Sequence, residues 1–180
     1  AVTDGIWTVE GTIVMPLGNF PRRMTVIALQ DGGTAIWSPV PLDEPSMAQI
    51  EALGPVHFLI VPNQGHRLDL GAWHARYPDA KIIAPPSAAS AVAEAAPVDG
   101  TADIIGDDAI RFELVAGTKE DEFALKVERD DGITLILNDI LSNVRHPKGN
   151  GAHIMARLLG FGVTRARTSR PVRRMFVKQP

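Results

Sequence analysis

Apolar and polar positions in the first part of this chain fall into short alternating or continuous blocks, punctuated by Gly, Pro and Asp. Ile6–Val14 is β-rich and Met24–Leu29 is a clear strand. Gln30-Asp-Gly-Gly33 carries turn chemistry, because Gly accepts the positive φ that tight hairpins demand, and Thr34–Ser38 returns as the partner strand. Pro45 falls in the first turn of a predicted helix whose Met47, Ile50 and Leu53 share one face, and Gly54-Pro55 closes it. The continuous apolar run Val56–Val61 then predicts a buried strand. It empties into the polar loop Pro62-Asn-Gln-Gly-His-Arg-Leu-Asp69, followed by a short helical pattern over Gly71–Tyr77 and a further strand over Pro78–Ala84.

The second half is more broken. Ser87–Ala95 reads as an alanine-rich helix with Ser87 as its N-cap. Residues 96–108 form an acidic connection carrying Asp99, Asp103, Asp107 and Asp108. Ala109–Val115 and Phe123–Val127 alternate, Asp130-Asp-Gly132 is a second hairpin turn, and Ile133–Leu137 is a buried strand ending in Asn138-Asp139. Ala152–Leu159 is a short helical segment stopped by Gly160, and residues 161–180 show no pattern. Neither a repeat nor a low-complexity linker is visible, so the 180 residues are expected to form one domain. In an open α/β sheet ligands gather at the carboxyl ends of strands, which directs attention to Asn63, His66 and Asp69.

Composition narrows the chemistry. An apolar share of 45% with 22% charged residues is globular. No apolar run approaches the roughly 18–20 residues of a membrane span, and no basic-then-apolar leader opens the sequence. Without cysteine there is no thiolate nucleophile and no Cys-ligated zinc, and a reducing cytoplasm is the default location. The net charge of −3 is unevenly spread: all 21 acids lie at or before Asp139, while residues 140–180 hold nine of the 18 Lys and Arg. The basic segment Arg165–Arg174 implies either an anionic partner or packing on the acidic body of the same domain, the expectation favoured by the Leu, Phe, Val and Met mixed among its arginines.

The order hairpin, helix, strand, polar loop, helix, strand, then a hairpin ending in a terminal Asp, resembles the metallo-β-lactamase fold superfamily. There the strand after the first helix ends in Thr-His-x-His-x-Asp-His; the matching text here is Leu59-Ile-Val-Pro-Asn-Gln-Gly-His-Arg-Leu-Asp69. Ala116–Leu125 sits where the family has Pro-Gly-His-Thr-Pro-Gly, and Leu135-Ile-Leu-Asn-Asp139 resembles the later strand whose aspartate bridges two metals. The resemblance implies an αββα sandwich over roughly residues 6–145, shortened at the C-terminus where the family adds a helix and a last strand. It departs at the ligands: aligned without a gap, the first histidine becomes Asn63, the second Gly65, the aspartate Arg67, the third histidine Leu68, and the next motif's histidine Lys119 or a neighbour. Asp139 alone is retained.

A catalytic zinc needs about three protein ligands and one open position. A shifted set can be written from His66, Asp69 and Asp139, with His146 and the weak oxygen donor Asn63 in reserve; this implies either no cofactor or a single divalent ion, zinc or manganese. Against ligation, Asp69 is first a helix N-cap, His66 a loop histidine bonded to backbone, and Asp139 the cap of a turn. Asp139 and His66 are the catalytic candidates, and Asn63, Arg67 and Trp37 the binding ones, Trp37 as core or pocket wall. Glu120-Asp121-Glu122 is expected to be a solvated hairpin approach rather than a cation site, and His57 and His74 to be structural. Two functions follow. One is a binding domain that has lost the dinuclear zinc site and takes a small-molecule ligand; the other is a metal-dependent hydrolase of an ester, lactone or phosphodiester with a reduced, single-ion site.

Overall fold

A computed structural model describes residues 1–15, 18–101, 104–119, 122–144, 146–147 and 149–175. Strands β1 (Ile6–Met15) and β2 (Gly18–Ala28) form a long antiparallel hairpin, and β3 (Thr34–Trp37) returns antiparallel to β2. The turn between them follows the sequence: Gly32 has φ 85° and the Gly33 amide donates to the Asp31 carboxylate at 2.8 Å. Helix α1 (Glu44–Glu51) is capped by Asp43, whose side chain accepts from the Ser46 amide, and buries Met47 and Ile50. Strand β4 (Val56–Ile60) then lies parallel to β3, and after helix α2 (Leu70–Arg76) strand β5 (Lys81–Ile83) lies parallel to β4. The sheet order is therefore β1-β2-β3-β4-β5. Its parallel centre is covered on both faces, which is why those strands read as continuous apolar runs.

Helix α3 (Ala89–Ala93) is shorter than the expected alanine-rich helix, and Ala88, not Ser87, occupies its cap position, because a turn over Pro85 delays helical hydrogen bonding. Two acids of the connection are structural: Asp99 accepts from the Ile82 amide at 2.7 Å, and Asp107 accepts from the amides of Gln30 and Ala109 at 2.9 Å each. Asp103 lies outside the described residues. A second sheet follows, β6 (Ile110–Leu114), β7 (Phe123–Arg129) and β8 (Gly132–Ile136), antiparallel throughout.

Two cores hold these layers together. Ile27, Trp37, Ile60 and Ile83 from the first sheet meet Phe123, Leu125, Val127 and Ile136 from the second. The other face of the first sheet, through Val26, Ile36, Leu59 and Ile82, packs against α1, α2 and α3. Helix α4 (Asn150–Leu159) sets Ala152 and Ala156 against Phe20 of β2 and stops at Gly160, at φ 73°. Helix α5 (Arg170–Met175) lies where the sequence showed no pattern. Among the described residues no helix is long and apolar enough to cross a membrane. The architecture is the expected sandwich of two sheets, and it brings the carboxyl ends of β3, β4 and β8 to one place. The outer face of β8 leaves Ile133 and Leu135 exposed, so this strand is not buried on both sides as its apolar run suggests.

Candidate functional site

The loop after β4 begins with backbone economy. Asn63 is extended, and its Oδ1 accepts from the Gly65 amide at 2.8 Å, which starts a single 3-10 turn over Gln64–His66. Its amide nitrogen points the other way, donating to Asp139 Oδ2 at 3.0 Å and, more weakly, to Glu122 Oε2 at 3.5 Å. The turn lifts His66 over the strand ends. There its Nε2 faces Asp139 Oδ2 at 3.3 Å and its Nδ1 faces Ser38 Oγ at 2.5 Å. A carboxylate only accepts, so Nε2 carries a proton where it faces Asp139, and Nδ1 shares a hydrogen bond with the Ser38 hydroxyl.

Asn138 completes the cluster. Its Oδ1 accepts from the Trp37 indole N–H at 2.6 Å, which aims its amide nitrogen at the imidazole, 3.0 Å and 3.1 Å from the two ring nitrogens. Ser38 ends β3 with φ 58°, the one described non-glycine residue at positive φ, and its own amide donates to the Ile60 carbonyl at 2.9 Å. The cluster holds in place a conformation that a Cβ disfavours.

Two carboxyl groups share this site with opposite electrostatics. Burial pushes Asp139 up, yet the hydrogen bond and charge of His66 and the Asn63 amide together hold it below the ordinary carboxylate range. Glu122, only 1% exposed, is pushed up to about 7 by burial, with the Asp139 charge adding to the rise and the Ile140 amide opposing it. Glu122 accepts from that amide at 3.0 Å. Near neutrality one carboxyl is charged and its neighbour half-protonated, the division expected when two acids share a site.

His66, Asn138 and Asp139 line a cavity of about 530 Å³ whose apolar lining includes Phe20, Phe161 and Val172. Arg22 and Arg23 also line it, but each is engaged: Arg22 binds Asp69 at 2.6 Å and the Pro39 carbonyl at 3.4 Å, and Arg23 binds Glu10 at 2.9 Å.

Neither a protein-family model nor a curated protein matches this sequence. Solved structures do. DIM-1 metallo-β-lactamase exposed to ceftazidime superposes with a TM-score of 0.56 over 71% of this chain and 63% of its own, at 13% identity. A metallo-β-lactamase from Erythrobacter litoralis with β-mercaptoethanol in the active site gives 0.55 over 71% and 64%, at 15% identity. One from Hirschia baltica gives 0.54 over the same shares, at 16% identity. The chain has the metallo-β-lactamase fold. It spans less than two thirds of each of these three proteins.

The metallo-β-lactamase fold carries zinc in the superfamily that the sequence resembles, so the donors present here decide whether an ion fits. Among the described residues, no three His, Cys, Asp or Glu side chains are grouped so that they could hold one. Of the candidate ligands, His66 and Asp139 share the cavity and each is engaged by the other, while Glu10, which also lines it, is paired with Arg23. Asn63 presents N–H and not a lone pair to Asp139. The residues do not fit a dinuclear centre.

The remaining candidates are placed elsewhere. Asp69 holds the N-cap position of α2 without a capping hydrogen bond; its carboxylate is drawn to Arg22 instead, away from the His66–Asp139 pair. Arg67 is turned to the Gln64 carbonyl at 2.7 Å and to Glu94 at 3.4 Å, so it neither opposes a cation nor lines the cavity. Trp37 is buried between the sheets and acts through Asn138, not as a pocket wall. His146 and Lys119 are exposed. Glu120 and Asp121 lie outside the described residues, but Glu122 overturns the expectation of a solvated run: β7 starts immediately after it, and the Phe123 amide donates to the Pro62 carbonyl at 2.9 Å, which draws Glu122 under the loop. His57 is half-exposed and pairs with Asp31 at 3.0 Å; its ring lies where a Cβ on Gly33 would stand.

Three residues of the cluster escaped the sequence reading as site residues. In the sequence Ser38 ends a strand, Glu122 sits in a charge run, and Asn138 stands beside the more conspicuous Asp139. Only Asn138 carries a usable signal, as the neighbour of Asp139 at a strand end.

Proposed function

We propose that this chain is a binding domain of metallo-β-lactamase fold. Its metal positions are rewired into a hydrogen-bonded cluster, and the cavity above that cluster receives a small molecule. The observation that carries this reading is the Asn63 amide, which donates to Asp139 at the position of the family's first histidine ligand. Asp139 is thereby charge-compensated by Asn63 and His66 without an ion. The cavity lining also bears on the ligand. The cavity is lined by the His66 imidazole, the Asn138 and Asn143 carboxamides, the Ser142 hydroxyl and the Asp139 carboxylate beside apolar side chains, while Arg22 and Arg23 are ion-paired to Asp69 and Glu10. This set suits a largely apolar molecule with a neutral head that both donates and accepts hydrogen bonds, rather than a phosphate.

The test is elemental analysis of the purified protein after exposure to zinc and manganese. Less than about a tenth of an ion per chain is expected, since catalytic zinc sites bind tightly enough to survive purification. One ion per chain, lost in His66→Ala and in Asp139→Ala, would overturn the reading. It would favour a second one, a single-ion hydrolase, which draws support from His66 and Asp139 lining the cavity together.

A further inference from the structure

Residues 140–180 carry nine cations and no acid, and the structure shows how part of that charge is displayed. The segment does pack on its own domain, but not through its charges. Val172 and Ser169 are buried, and the Arg167 backbone bridges Ser142 in both directions, at 2.9 Å and 3.0 Å. Arg157, Arg165, Arg167, Arg170, Arg173 and Arg174 are all exposed, and none is ion-paired to a described acid. On α5, Arg170, Arg173 and Arg174 fall at i, i+3 and i+4, opposite buried Val172.

Helix α4 adds a different feature. Ala152 and Ala156 form its buried face against Phe20. On the opposite face Ile154 and Leu158, one turn apart, are each 62% exposed, with Arg157 beside them. The Arg167 guanidinium lies within 3.5–3.8 Å of where a Cβ on Gly160 would stand, so the basic segment adjoins the Leu158 end of this helix.

Cations alone fit any polyanion, but two large aliphatic side chains held in water beside them do not. A nucleic acid gives Ile154 and Leu158 nothing to bury into, and Phe161, the described aromatic of this region, is packed edge-on against Phe20 at 5.8 Å and is not free to stack on a base. An anionic bilayer surface satisfies both groups at once, with headgroup phosphates and carboxylates for the arginines and the acyl boundary for the aliphatic pair. We infer that the exposed face of α4 together with the arginines of 165–174 is a docking surface for an anionic phospholipid membrane. It lies peripherally on the bilayer and does not span it. Binding depends on both charge and aliphatic insertion, and it is independent of the ligand in the cavity.

Co-sedimentation of the full chain with phospholipid vesicles tests this directly. Vesicles in which about a third of the lipid is phosphatidylserine should carry the protein down, while pure phosphatidylcholine leaves it in solution, and added salt should release it. Arg170→Gln, Arg173→Gln and Arg174→Gln together should weaken partitioning roughly a hundredfold, at about fivefold per arginine. Ile154→Ser with Leu158→Ser should weaken it about tenfold or more. All five positions are exposed, so unchanged thermal melting is expected and confirms that the variants fold. No sedimentation with phosphatidylserine vesicles overturns the inference. So does binding that is indifferent to the aliphatic pair, above all if a DNA duplex binds the Ile154→Ser, Leu158→Ser variant as tightly as the parent.

Discussion

Replacing Glu122 with Gln isolates the electrostatic strain of the cluster. A glutamate ordinarily titrates at 4.5, and burial beside Asp139 raises Glu122 to about 7. Between those values the folded protein holds a proton that the unfolded chain has released, so stability falls as pH rises through the window. A difference of that size is worth about 3 kcal/mol once pH exceeds both values. Asp139 acts in a separate range: its depressed value contributes stability above the ordinary carboxylate range, lost only as pH falls through its lowered folded value. The two effects therefore do not mask each other. Gln keeps an oxygen to accept from the Ile140 amide and removes the ionisation. Urea unfolding of both proteins at about pH 5 and about pH 8 should give nearly equal free energies at the lower pH, and a variant more stable by about 2–3 kcal/mol at the higher. Parallel profiles for the two proteins would refute the assignment of the strain to Glu122.

Other residues of the cluster give distinct signatures. Ser38→Ala removes the hydroxyl bonded to His66 and keeps a Cβ at φ 58°, whereas Ser38→Gly removes the hydroxyl and relieves the backbone. The alanine variant should lose about 1 kcal/mol of stability and the glycine variant distinctly less, read from urea midpoints; equal losses would deny that the backbone is strained. Asn63→Ala removes the donor between Asp139 and Glu122, so its cost of about 1–3 kcal/mol should be larger at about pH 8 than at about pH 5, where Glu122 is protonated. A pH-independent loss in the same unfolding assay would contradict that role.

How far the sequence revealed this molecule depends on the kind of signal. Continuous apolar runs such as Val56–Val61 and turns such as Asp31–Gly33 encode local backbone and burial, and the elements they predicted are present. The order of those elements was enough to reach the fold, although no family model matches the residues. The cluster was less legible because its contacts are long-range: Trp37 to Asn138, Ser38 to His66 and Asn63 to Asp139 join strand ends 28 to 101 residues apart. Glu122 misled because three consecutive acids look solvated, and nothing local says that the third is buried. Asp69 misled because its true partner, Arg22, comes from the first hairpin, 47 residues earlier. Helix α5 was missed because one turn of arginines around a single buried Val172 has no apolar stripe to detect.

In the proposed function His66 and Asp139 are committed to each other and to their neighbours rather than to an ion. Long-range proton–nitrogen NMR of the His66 imidazole reads that state directly. A proton on Nε2 is expected near neutral pH, with resonances that do not move when one equivalent of zinc is added. An unprotonated Nε2, or a shift of the ring nitrogens that saturates at one equivalent of zinc, would contradict the proposed function.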